Sequence, residues 1–170
     1  MNVFLATVIS LILSVNGYTT TYKDAPVNSD LCDSSVKSLS GYFKVESGND
    51  KNYFFWLFES RSKPSTDPLI IWLVVYSSYS NKNLFDVYIQ RLTGGPGCSS
   101  QLALMTENGP CQVTPDGLST VNNPFSWNTK SNIMWIDQPA QVGFSYGTKY
   151  IDNDHNQTEV AEDMYYFLQG

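Results

Sequence analysis

Histidine occurs once in this chain, at His155, and cysteine only three times, at Cys32, Cys98 and Cys111. No CxxC or Cys/His spacing links them, so nothing in the sequence suggests a zinc or other metal site. His155 stands in the polar run Asp152-Asn153-Asp154-His155-Asn156 and reads as a solvated loop residue. An odd number of cysteines leaves at least one free or paired outside these residues. Basic residues are also scarce, ten against sixteen acidic ones, for a net charge of −6. That balance argues against nucleic acid and anionic membrane surfaces as partners. Long hydrophobic runs are absent as well. The longest, Val3 to Val15, is too short to span a bilayer.

That same run reads as the apolar region of a signal peptide covering residues 1–17, with Val15 and Gly17 as the small residues before cleavage. The expectation is entry into the secretory pathway, an anchored first helix being the alternative. Beyond it, 42% of the residues are apolar and 15% charged, enough to bury a core and too few charges for a disordered chain. Asn156-Gln157-Thr158 is the one glycosylation sequon, in a polar stretch with room for a glycan.

Residues 18–39 are polar and read as an exposed N-terminal arm. Ser40 to Val45 and Asn52 to Phe58 have strand composition around a Ser47-Gly48-Asn49-Asp50 turn, which predicts an antiparallel hairpin. Leu69 to Leu73 is a continuous apolar run, expected of a strand buried on both faces. Residues 74–91 then show neither a helical nor a strand period. Gln101 to Glu107 predicts a short helix, and Asn132 to Asp137 a third buried strand stopped by Pro139. Val160, Ala161, Met164, Phe167 and Leu168 form one helical stripe, with Asn156 as N-cap and Glu159 three residues on. Glu159 and Asp163 read as the solvated face of that helix. Hairpin, buried strand, loop, buried strand and helix together predict an α/β domain containing the first part of a central mixed sheet.

Between the second and third of these features lies Leu92-Thr93-Gly94-Gly95-Pro96-Gly97-Cys98-Ser99-Ser100. Glycines this dense let the backbone approach a bound group and aim N–H donors at it. A phosphate-binding P-loop needs Lys and Ser/Thr after its last glycine, whereas Gly97 is followed by Cys98. The dinucleotide spacing G-x-G-x-x-G is also missing. A tight structural turn and a loop for some other developing charge both remain open on the residues alone.

The motifs in order carry more: IIWL, TGGPGCSS, ENGPC at Glu107 to Cys111, NIMWIDQP at Asn132 to Pro139, and VGFSYG at Val142 to Gly147. Their succession resembles the N-terminal portion of the serine carboxypeptidase family, from about Ser40 onward. The resemblance implies an α/β-hydrolase fold, a Ser-His-Asp triad and no cofactor. It implies that the Gly95 backbone N–H is half of an oxyanion hole, consistent with the need for rigid donors where negative charge develops. It assigns recognition of a substrate's C-terminal carboxylate to Trp72, Thr93, Gly94 and Glu107. Thr93 stands where asparagine is commoner. A carboxylate meeting Glu107 needs a shared proton, so binding is expected to favour acidic pH. Cys98 is implied to pair with a cysteine beyond Gly170.

Gly143-Phe144-Ser145-Tyr146-Gly147 also matches the nucleophile-elbow pattern G-x-S-x-G. An elbow demands strand, serine and helix without delay. Here Pro139 ends the strand early and a polar loop follows Gly147, so Ser145 reads as a loop residue at the cleft border. Asp137 reads as a structural acid at the strand end. Residues 152–163 weakly resemble a calcium loop but lack its glycine and its final glutamate.

In the family the strand bearing the tryptophan runs straight into the glycine loop. Here residues 74–91 intervene, a retained intron or a genuine insertion. The resemblance places all three triad residues beyond Gly170, so residues 1–170 alone are expected to be inert. Residues 40–170 are read as part of a serine-type carboxypeptidase acting on peptide C-termini. The alternatives are a related acyltransferase and a non-catalytic truncated homologue.

Overall fold

The structure is a computed structural model, and it describes residues 23–25, 31–45, 50–73, 87–90, 97–147 and 156–169. Nine strands, two helices and a 3-10 turn occupy them. In chain order these are β1 (Lys23–Ala25), β2 (Ser38–Val45), β3 (Lys51–Phe58), β4 (Leu69–Leu73), β5 (Val87–Gln90), α1 (Gln101–Thr106), β6 (Cys111–Val113), β7 (Thr120–Asn122), the 3-10 turn Trp127–Thr129, β8 (Asn132–Ile136), β9 (Tyr146–Gly147) and α2 (Gln157–Gln169).

Seven strands form one sheet in the order β1-β2-β3-β8-β4-β5, with β9 also on β3. The β1 to β8 half is antiparallel; β8, β4 and β5 run parallel. The mixed character follows from the connections. Five residues separate β2 from β3, whereas β4 reaches β8 only after α1 and the β6–β7 hairpin, a crossover long enough for parallel pairing. The expected hairpin and the Leu69–Leu73 strand are present, and the third strand ends one residue before Asp137.

Alternation along the strands splits the core over two faces. Tyr53, Phe55, Ile71, Leu73 and Ile136 point to one, where Met164 and Phe167 of α2 cover them. Phe54, Trp56, Phe58, Trp72, Ile133 and Trp135 point to the other, against Ala103 and Leu104 of α1. Both faces are covered, which explains why NYFFWLF and LIIWL are apolar without a break.

Three expectations are corrected. The 18–39 segment is not simply an exposed arm. Lys23–Ala25 pairs with β2, Cys32 forms a disulfide with Cys111, and Asp33 is buried against Arg61. Burial acts to raise the Asp33 carboxyl's pKa, but hydrogen bonds from Ser35 and Arg61 outweigh it and hold the value below normal. The 74–91 stretch contains a strand, Val87–Gln90, in register beside β4 from Leu69↔Val87 to Trp72↔Gln90; residues 74–86 and 91 lie outside the described residues. The buried side of α2 is also turned from the expected stripe. Ala161 is exposed and Asp163 faces the sheet at 1% side-chain exposure.

Asp163 is buried because β3 begins with a buried lysine. Lys51 Nζ donates to Asp163 Oδ2 at 2.6 Å, and the Tyr53 hydroxyl donates to the same oxygen at 2.9 Å. Neither charge is stable in the core without the other. At the helix start the capping expectation holds: Asn156 Oδ1 accepts from the backbone N–H groups of Thr158 and Glu159, and its Nδ2 donates to Glu159 Oε1.

We predict that Asp163→Ala lowers the unfolding free energy by about 3–5 kcal/mol, since it removes one partner of a buried ion pair and of the Tyr53 hydroxyl. The pair Lys51→Met with Asp163→Leu should recover most of that loss. Urea titrations of the three proteins provide the check, and a loss under about 1 kcal/mol for Asp163→Ala contradicts the buried ion pair.

Candidate active site

Parallel strands β4 and β8 end side by side, with Leu73 opposite Ile136. The region beyond the carboxyl ends of parallel strands is where α/β sheets hold ligands. The first residue past β8 is Asp137, which is fully buried. Its Oδ1 accepts from Ser99 Oγ at 2.7 Å and from the Ser100 backbone N–H at 2.8 Å. A longer contact of 3.5 Å comes from Gln101 Nε2. Oδ2 accepts from the Phe144 backbone N–H at 2.9 Å. One carboxylate thus joins the C-terminal end of the glycine loop to the GFSYG segment. Gly143 makes this possible: at φ +55° a side chain is strained, and a Cβ there would stand 2.1 Å from Asp137 Oδ2.

Ser145 is held from two sides. Strand β8 pairs with β3 from Phe55 to Phe58, and β9 resumes the pairing at Lys51 and Asn52. Between them residues 137–145 loop away, so on this side of β3 the backbone of Phe54 has no strand partner, while on the other side Phe54 stays in register with Tyr42 of β2. Its carbonyl accepts from Asp137 N at 2.9 Å, and its N–H donates to Ser145 Oγ at 2.7 Å. The Ser145 hydroxyl in turn donates to the Asp137 carbonyl at 2.5 Å. Both its proton and a lone pair are used, and the residue is buried. No helix follows it either, since the chain enters β9 at Tyr146. Ser145 closes a gap in the sheet, and it has none of the exposure that a nucleophile requires.

A second cluster lies under α1. Trp72 is buried, with its ring edge-on to Trp127 at 5.3 Å between centroids. Among the described residues its indole N–H finds no hydrogen-bond partner. The facing indole of Trp135, in register with Trp72, does find one and donates to Asn108 Oδ1 at 3.1 Å. Asn108 Nδ2 is again buried and without a partner among the described residues. Glu107 precedes it at the end of α1, exposed, with its backbone N–H on the Ala103 carbonyl. Gly109 allows the chain to turn under the helix, because a Cβ there would stand 1.9 Å from the Leu104 carbonyl oxygen. Trp72 therefore lies in the layer covered by α1, the helix that Glu107 ends, and the Trp72 indole N–H and Asn108 Nδ2 are buried donors without a partner among the described residues.

Thr93, Gly94 and Gly95 lie outside the described residues, as do His155 and the 1–17 segment. Cys98 is half-buried and free of any disulfide within the described residues, while Cys32 and Cys111 are joined across a separation of 79 positions. Asn156 is exposed at the start of α2. The residues that sequence reading missed are Asn108 and the reach of Asp137. An acid directly after an apolar strand and before a glycine-containing loop signals the second; the first leaves no comparable trace.

A family profile described as serine carboxypeptidase matches residues 27–74 and 78–170. Carboxypeptidase Y of Saccharomyces cerevisiae is 39% identical over 138 residues, covering 81% of this chain and 21% of that protein. A serine carboxypeptidase-like protein of Oryza sativa is 40% identical over 132 residues, 77% of this chain and 26% of its own length. The chain thus spans about a quarter of these relatives. Among solved structures, Kex1(Δ)p, a prohormone-processing carboxypeptidase from Saccharomyces cerevisiae, superimposes with a TM-score of 0.62 at 30% identity. That match covers 87% of this chain and 31% of the yeast chain. It bears out the expected α/β-hydrolase sheet.

Replacing Ser145 by alanine leaves the Phe54 N–H buried with no acceptor. We predict a loss of about 1–3 kcal/mol in unfolding free energy, with a fluorophosphonate probe labelling Ser145→Ala and the parent protein to the same extent. Labelling that disappears with the alanine variant makes Ser145 the nucleophile after all.

Proposed function

This chain belongs to the serine carboxypeptidase family, and on that premise we propose that its protein releases C-terminal amino acids from peptides through an acyl-enzyme. The residues of this chain supply the substrate-facing scaffold of that reaction. Gly95 is read as an oxyanion donor, and Trp72, Thr93, Gly94 and Glu107 as the pocket for the substrate's terminal carboxylate.

One observation supports the carboxylate pocket above the others: the indole N–H of Trp72, buried in the layer covered by α1 and unpaired among the described residues. A buried donor without an acceptor is unfavourable by about 1–3 kcal/mol, and an anionic ligand removes that penalty with a charge-assisted bond. The carboxylate of a peptide has the charge and the small size to enter. Glu107 facing it requires that one of the two acids carry a proton, which matches an enzyme working in acidic surroundings.

The test is trimming of a blocked dipeptide with a free C-terminus against the same peptide amidated, with full-length protein at mildly acidic pH. The expected outcome is release from the free acid and at least roughly 100-fold slower release from the amide. Trp72→Phe should lower kcat/KM for the free acid by about 10- to 100-fold, the equivalent of one hydrogen bond to a charged group. Equal rates on acid and amide overturn the carboxylate pocket. Ester formation from an acyl-glucose donor with no trimming favours the acyltransferase reading instead.

Maturation in the secretory pathway is the accompanying proposal, supported by the Cys32–Cys111 disulfide, which suits an oxidising compartment. Asn156 would then carry an N-linked glycan. It is exposed, and glycosylated Asn156 keeps the Oδ1 acceptor that caps α2. Protein from a eukaryotic secretory host should lose mass on treatment with peptide-N-glycosidase, and Asn156→Gln should abolish the shift. An unchanged mass in the parent protein refutes glycosylation.

A further inference from the structure

At the carboxyl ends of the parallel strands the buried Asp137 carboxylate gathers hydrogen bonds from Ser99, Ser100, Gln101 and Phe144. We infer that Asp137 is the positioning residue of the glycine loop: it fixes the loop's C-terminal end, and hence the oxyanion donor a few residues upstream, to the end of β8. The inference rests on the carboxypeptidase reading for the role of the loop, but its geometry stands without that reading.

The geometry is a clamp with two jaws. Oδ1 takes the hydroxyl and the next backbone N–H of the Ser99-Ser100 pair, and Oδ2 takes the Phe144 N–H from the opposite segment. Ser99 Oγ also accepts from Gln101 N at 3.2 Å, so the hydroxyl held by Asp137 orients the first turn of α1. Among the described residues no lysine or arginine pairs with Asp137, and its buried charge is held by these neutral donors. A neutral strut could have used threonine or asparagine. A carboxylate alone offers acceptors on both jaws and has no N–H to oppose the Ser100 or Phe144 donors.

The jaws also connect to the sheet. The main chain of Asp137 donates to Phe54 and accepts from Ser145, so the carboxylate cannot shift without displacing the gap in β3. Loop position is thereby referred to a central strand, the most rigid element available. That matters because an oxyanion donor acts only within a few tenths of an ångström of its working place, and a 1 Å displacement reduces turnover by about 100-fold.

Full-length Asp137→Asn is the test. The amide is isosteric but turns one acceptor into a donor that faces a backbone N–H. We expect kcat to fall by about 10- to 100-fold with KM rising by a smaller factor, since Thr93 and Gly94 share the loop whereas Trp72 and Glu107 lie off it and keep part of the ground-state binding. Ser99→Ala should lower kcat by about 3- to 10-fold, and the double variant should be no slower than Asp137→Asn alone. Asp163→Asn, on the other face of the sheet, serves as the stability control and should leave kcat of the folded enzyme unchanged.

Hydrogen exchange at the Ser100 and Phe144 amides gives a readout independent of activity. Both amides should exchange at least roughly 10-fold faster in Asp137→Asn and remain protected in Asp163→Asn. Should Asp137→Asn not fold, Ser99→Ala decides. Full kcat in Ser99→Ala, or kcat and KM of Asp137→Asn moving together in proportion to lost stability, overturns the positioning role. A parent protein without carboxypeptidase turnover but with protected Ser100 and Phe144 amides counts against the function and leaves the clamp standing.

Discussion

A buried carboxylate with no lysine or arginine partner among the described residues depends on the hydrogen-bond donors around it, and Asp137 has gathered them from two separate segments of the chain. Its position explains why both segments are where they are. It lies one residue past the strand that pairs with both β3 and β4, so whatever binds it is fixed to the middle of the sheet. Take the carboxylate away and two backbone N–H groups lose their acceptor, the buried one of Ser100 and the part-buried one of Phe144. The glycine at 143 and the serine at 99 are shaped to it: one leaves room for the oxygen, the other reaches it.

The remainder of the fold makes that strand end immobile. Two aromatic layers sandwich β3, β4 and β8, and each has its own helix. The ion pair of Lys51 and Asp163 holds α2 to the start of β3, on the far face from the site. On the near face the disulfide joins the segment before β2 to the start of β6. Arg61 adds a contact to Asp33 and others to the Pro110 and Asn123 carbonyls. The end of β8 is thus held by packed elements on both faces of the sheet.

Seen as chemistry, the region is a binding scaffold with unfilled hydrogen-bonding capacity. The donors of Trp72 and Asn108 have no partner among the described residues, and Glu107 beside Asn108 in the chain is exposed. Under the proposed function this capacity serves a terminal carboxylate, and the glycine loop serves the oxyanion of the reacting carbonyl. The serine that a pattern search would select belongs to neither. Ser145 is consumed by the sheet, its hydroxyl filling the place of a missing backbone partner for Phe54.

Strands and helices were legible locally because their signals are local: unbroken apolar runs at Leu69–Leu73 and Lys51–Phe58, and a cap with a capping residue at Asn156 and Glu159. The family was legible too, since its motifs are contiguous and ordered. The sequence by itself therefore determined the α/β class and the family. Only the tertiary structure decided which charges are buried and what the polar side chains do. Asp163 reads as a surface acid until Lys51, 112 positions away, is brought against it. Val87–Gln90 has no strand period because its pairing comes from β4. Ser145 and Asp137 have meaning only around the gap in β3. Hydrogen bonds and ion pairs between distant segments leave no periodicity in the chain, and burial, the condition that makes them matter, exists only once the sheet has closed.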